Sequence, residues 1–166
     1  MLLMYLRFGL PYEEDTMKST LRSRLANVIY SHSTADAYLL MYIDKLTKEV
    51  SDTTFKRVSE KKETIKEDDY IFSDQRATEI GANEANSIGN HEEYLKAIEA
   101  GMKYKRWVAF KDNRVRKDHE GMDGKKIPIK EYFKFPDCKG LFPHDGVHLS
   151  AKQTCNCRCV CKFSFK

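Results

Sequence analysis

No glycine or proline occurs between Pro11 and Gly81, whereas Gly121, Gly124, Pro128, Pro136, Gly140, Pro143 and Gly146 crowd the last third of the chain. Glycine opens left-handed backbone and proline withholds an N–H, so both punctuate regular structure. A stretch that lacks them for so long can run as helix. A stretch so dense in them must be built from turns and short strands. The expected fold class is therefore α+β: a helical N-terminal half with a small, loop-rich, β-containing C-terminal domain. The 166 residues suit one domain, or one domain with a helical arm. We place a helical arm at 1–70 and a domain at 71–166, with a helical lead-in at 71–101 and a basic, β-rich part at 102–166.

Periodicity fills in this outline. Leu21, Leu25, Val28 and His32 recur at helical spacing, as do Leu39, Ile43, Leu46 and Val50 after a break near Ser31–Thr34. From Thr53 the apolar positions thin to Phe55, Val58 and Ile65 among many charges, which reads as exposed helix or linker. So few apolar positions make either a simple hairpin with its own core or an arm that packs on a larger partner. Residues 73–101 read as two short helices. Ser73 caps the first and Gly89 ends it. Asn90 with Glu93 starts the second, and Gly101 closes it with a left-handed stop. The run Lys105–Phe110 is aromatic and β-branched and reads as a strand, Asp112-Asn113 turns it, and Cys157–Phe165 reads as the final strand.

Composition excludes some classes. With 41% hydrophobic and 33% charged residues, the chain is neither wholly disordered nor membrane-spanning, since no run approaches the ~18 apolar residues a span needs. Met1–Pro11 is apolar but short and broken by Arg7, without the layout of a signal peptide. The charge is lopsided. Residues 1–101 hold 13 Lys+Arg against 18 Asp+Glu, and 102–166 hold 16 against 7. The basic end is thus the candidate for a polyanion partner. Lys103, Lys105, Arg106, Lys111, Lys125 and Lys126 flank Trp107 and the following turn and are the candidate nucleic-acid contacts, while Trp107 itself reads as core.

The densest chemistry lies at Asp112, Arg114, Arg116, His119 and Asp123, followed by Cys155, Cys157, Cys159 and Cys161, with Cys138 between. Thiolate and imidazole together invite zinc, with His119, Cys157 and Cys159 as ligands and Cys138 or Cys155 as further candidates. On a regular strand, alternate sulfurs would stand roughly 6.5–7 Å apart. A shared ion therefore needs a bend at Asn156 or Arg158. The competing reading is a row of small thiols packed as core. A cysteine nucleophile with His119 or His148 as base is a third option, to which Arg158 would add a lowered thiol pKa. The Asp112, Arg114, Arg116, His119 and Asp123 group is either a structural polar cluster, tying the domain's first strand to its last, or the centre of a nuclease- or toxin-like enzyme.

These residues, taken in order, resemble a known family. Arg76-Ala77, Ile80 and Glu84 are followed by Ala100-Gly101, Lys105, Trp107 and Ala109. Asp112, Arg114, Arg116, His119, Asp123-Gly124, Pro128 and Phe133 come next, and Asn156-Cys157-Arg158-Cys159 closes the series. Order and spacing resemble the phage head morphogenesis domain typified by the F protein of phage Mu, over about half the chain. Ala82-Asn83 stands where that family has Arg-Thr, Met122 where it has Leu, and Cys138, Cys155 and Cys161 are additional. The resemblance implies a structural, non-enzymatic minor head protein of a tailed phage or prophage. Such a protein is portal-associated, contacts capsid or scaffold proteins and packaged double-stranded DNA, and acts in procapsid assembly or DNA delivery. It resides in the head interior after assembly in the host cytoplasm, away from membranes. A zinc-stabilised nucleic-acid-binding module is the remaining alternative.

Overall fold

The computed structural model describes residues 14–31, 36–61, 64, 66 and 69–166. Met1–Pro11, His32, Thr34 and Ile65, to which the sequence reading gave roles, lie outside the described residues. The chain divides into two compact units, Met1–Thr78 and Glu79–Lys166. No described helix is long and apolar enough to cross a membrane.

The first unit is helical. Helix α1 (Glu14–Tyr30) packs on α2 (Ala37–Glu60), and a 3-10 turn at Tyr70–Phe72 follows. Ion pairs Lys18–Asp52 (3.4 Å) and Arg22–Asp44 (2.6 Å) join the two helices in antiparallel order. Asp36 starts α2 by accepting the Leu39 N–H at 2.8 Å. Leu39, Ile43 and Leu46 are buried as their spacing predicts, and the helix carries on to bury Thr54 and Val58, so the thin, charged stretch after Thr53 is helix as far as Glu60. On α1 the buried stripe is shifted. Ile29 is buried while Val28 is 63% exposed, because Leu21, Leu25 and Ile29 repeat every four residues and keep one line along the helix.

Helix α3 (Asp74–Glu99) corrects the expectation of two short helices. Gly89 does not stop it, and Asn90 donates its side-chain amide back to the Asn86 carbonyl (2.9 Å) instead of capping a new start. Ser87, His91, Tyr94 and Ala97 form one buried stripe that passes Gly89, and that burial outweighs the ~1 kcal/mol a helical glycine costs. The stop at Gly101 is as expected. Its φ is +73°, with Gly101 N–H to Ile98 O at 2.9 Å and Met102 N–H to Ala97 O at 3.0 Å.

The second unit contains a three-stranded antiparallel sheet with strand order β2-β1-β5. These are β1 (Tyr104–Val108), β2 (Lys126–Pro128) and β5 (Val160–Ser164). A hairpin of β3 (Phe133–Lys134) and β4 (Lys139–Gly140) lies between them in sequence. One-turn helices α4 (Lys117–Glu120) and α5 (Ala151–Thr154) complete the unit. Trp107 is fully buried and centres the core, with Phe133 and Phe135 edge-on at 5.2 and 5.3 Å. Gly140 lies so close to Leu149 that a Cβ there would meet its side chain at 2.6 Å, so any other residue at that point must displace the buried leucine.

Lys105 departs from its expected role. Strand alternation puts it on the inner face with Trp107, wholly buried, so it is not a surface contact for nucleic acid. Its ammonium lies 5.1 and 5.3 Å from the Tyr94 and Phe133 rings and makes no hydrogen bond. Burial lowers its pKa to about 8, against the pull of Cys161, Asp145 and Glu131. In the unfolded chain this group titrates near 10.4, so between the two values only the unfolded state holds the proton and stability rises with pH. Lys105→Met is expected to stabilise the protein by about 1–3 kcal/mol at neutral pH, with the gain fading toward pH ~10.5. Urea denaturation across that range measures it.

Candidate metal centre

The segment from Ala109 to Gly124 is a folded-back loop. Asp112 accepts the Arg114 N–H at 2.9 Å, which makes the expected turn, and its carboxylate meets Arg158 at 2.6 and 2.8 Å. That guanidinium holds Asp112 down to about 2 and lies 4.7 Å over the Phe110 ring. Arg116 donates to the Cys155 carbonyl. Asp123 accepts the Ala109 N–H at 3.0 Å and pairs with Lys111 at 3.7 Å, while Gly124, at φ +77°, donates to the Trp107 carbonyl. Three of the five predicted polar residues, Asp112, Arg116 and Asp123, thus pin the loop to the end of the first strand or to the chain before the last one. Arg114 is mostly exposed and reaches only Asp112, at 3.6 Å.

His119 sits on α4, 1% exposed, with its ring 5.4 Å from Trp107 and 5.5 Å from Phe135. Its Nε2 lies 2.9 Å from Gln153 Oε1. The orientation of that amide is fixed, because Gln153 Nε2 donates to Asp118 (3.2 Å) and Asp137 (3.0 Å). The oxygen must therefore face the histidine and Nε2 must carry a proton, which leaves Nδ1 as the ring nitrogen able to offer a lone pair. That lone pair faces two sulfurs, Cys157 Sγ at 3.5 Å and Cys159 Sγ at 3.3 Å.

The chain turns at Asn156, whose φ is +53°, and stays out of regular strand through residues 157–159, the departure from strand geometry that a shared ion requires. Asn83 on α3 accepts the Asn156 N–H at 2.8 Å, so the residue that departs from the family pattern holds this turn. The Cys159 N–H then folds back to Cys157 Sγ at 3.4 Å, and regular strand begins only at Val160. The two sulfurs and Nδ1 come within 4.8 Å of one another. A tetrahedral zinc with ordinary bond lengths places nitrogen and sulfur roughly 3.5 Å apart, which these distances match. Hydrogen bonding between the thiols pushes Cys159 down and Cys157 up, and burial adds to the rise at Cys157. The buried Trp107 indole N–H has no partner of ordinary geometry and favours an anionic Cys159. A Cys159 sulfur shifted toward the thiolate, a second sulfur beside it, an imidazole nitrogen facing both and a second row of hydrogen bonds make a donor set suited to a metal.

The other candidates stand apart from this group. Cys138 contacts Ser150 and Asp137, Cys155 is exposed, and Cys161 is raised to about 12 by burial. Both His119 nitrogens are taken, which leaves neither for the proton transfer a nuclease reading asks of it, and His148 is tied to Asp145 at 2.9 Å. Cys157 and Cys159 are 2% and 3% exposed, a poor setting for a nucleophile. Sequence reasoning missed Gln153 and His144. The His144 ring, at φ +61°, is buried and holds the Cys157 carbonyl through Nε2.

A family model described as Phage Mu protein F like protein matches residues 17–162. No curated protein and no solved structure matches the chain.

Proposed function

The chain belongs to the phage Mu protein F like family, a family of phage head morphogenesis, and from that premise we propose that it is a minor head protein that links the portal to packaged DNA. The acidic helical part would dock on portal, capsid or scaffold protein, and the basic part would face the genome inside the head. Assembly would take place in the host cytoplasm. The match to nearly the whole chain supports the structural role. When expressed in a phage-producing host, the protein is expected to co-purify with portal protein. Its absence from portal complexes and from finished heads would count against the role.

The observation that carries the DNA contact is a row of cations across the outer face of the sheet. Arg106 on β1 stands directly opposite Lys126 on β2 and Lys162 on β5. Like charges in direct cross-strand register repel, so a neutral partner gains nothing from this row and a chain of phosphates gains from all three. Arg106 and Lys162 make no ion pair among the described residues, and Lys126 lies 4.6 Å over the exposed Tyr104 ring. Lys103 and Lys125 are exposed nearby in sequence. Lys162 was not among the expected contacts, and Lys105 leaves the set. Affinity for double-stranded DNA is expected to fall with salt at a log–log slope of about −3, and Arg106→Ala to lower that slope by about 1. Fluorescence anisotropy at several salt concentrations reads both, and salt-independent binding would exclude the row.

We further propose that His119, Cys157 and Cys159 hold one zinc ion as a structural staple. The matched nitrogen–sulfur distances support this reading. Elemental analysis is expected to find about one equivalent of zinc, and a chelator to lower Tm. Gln153→Leu frees the histidine ring and is expected to weaken zinc affinity about 10–100-fold.

A further inference from the structure

We infer that the centre at His119, Cys157 and Cys159 keeps its fourth coordination position open and fills it with an exchangeable oxygen ligand, either water or a small oxyanion. The inference rests on the zinc reading above and deepens it.

The donor set stops at three. Among the described residues the group that can share an ion is His119, Cys157 and Cys159 alone. The remaining thiols and the His144 ring fall outside that group, and His144 Nε2 is on the Cys157 carbonyl. A zinc site with four protein ligands is closed, whereas one with three, even where the ion staples the fold, completes its shell with solvent or a bound ligand.

The three ligand residues also border a crevice, which they share with Arg114, Arg116 and Arg158. Its volume is about 10 Å³, room for a single water or one ligand oxygen but not for another side chain. The charge around it sets the ligand class. Zinc with two thiolates and a neutral imidazole sums to zero, so the ion does not repel an incoming anion. Of the three guanidiniums at the mouth, Arg158 and Arg114 share one carboxylate, Asp112, and Arg116 is on the Cys155 carbonyl, with no carboxylate among the residues that line the crevice. That surplus of positive charge, next to a buried metal, favours an oxyanion whose outer oxygens reach the arginines while one oxygen meets the ion. Arg114 is the arm free to swing, since it is exposed and its contact with Asp112 is long.

The test uses the full chain loaded with cobalt(II), whose visible bands report its ligands, and inorganic phosphate as probe. Elemental analysis first establishes one bound metal, and is repeated after the titration to show that it stays. The expected spectrum is that of a four-coordinate ion with two thiolates, whose bands shift saturably as phosphate is added. Arg114→Ala, which leaves the ligands and their supports in place, is expected to weaken the phosphate shift several-fold without changing the phosphate-free spectrum. Bands that do not move with phosphate would overturn the open position, as would X-ray absorption showing a third sulfur or no exchangeable oxygen. A protein that binds no cobalt or zinc would instead remove the zinc reading itself, which keeps the two failures apart.

Discussion

The Gln153 amide is the hinge on which the second unit turns. Its nitrogen is held by carboxylates from two different segments, Asp118 on α4 and Asp137 ahead of β4, and its oxygen then has one partner left, His119. One side chain on a one-turn helix thereby joins α4, α5 and the hairpin. It also decides which histidine nitrogen is bare. Because the Gln153 amide is fully buried, leaving its N–H groups or its oxygen unpaired costs a desolvation penalty of about 1–3 kcal/mol, and the arrangement resists a flip of the amide. The sulfurs, the turn at Asn156 and the crevice beside them all take their positions relative to that ring.

This matters because the unit has little else to hold it. Its regular strands are two to five residues long, and its core is a small cluster around Trp107. Short strands and a small apolar cluster leave a modest hydrophobic contribution, to which a staple would add. The cysteines form no disulfide among the described residues, and the proposed zinc would serve as the staple. The polar cluster at Asp112, Arg116 and Asp123 complements it from the outside, pinning loop to strand by hydrogen bonds while the sulfur–imidazole group works from within.

Much of this was legible from residue order, and the misses share a cause. The helical and loop-rich halves follow from where glycine and proline stand, and Gly101 ends a helix because only that residue easily takes the left-handed stop. Gly89 has the same identity but a different fate, since the stripe from Ser87 to Ala97 is set by burial against Phe142 and Phe163, which lie far ahead in sequence. Lys105 was misplaced by reading charge before parity, although alternation with Trp107 already put it on the inner face. Lys162 becomes a partner of Arg106 only through the β1–β5 register. Gln153 and His144 carried no local signal, because each acts on a group presented by another segment.

The row of Lys126, Arg106 and Lys162 has an energetic corollary. Three cations in direct cross-strand register put self-repulsion into the folded state that the unfolded chain, with its charges dispersed, does not share. Any polyvalent counterion that settles on them removes that strain and pulls the folding equilibrium with it. The domain would thus be more resistant to unfolding in a crowded anionic interior than in dilute buffer, and its rigidity would report whether such a surface is present.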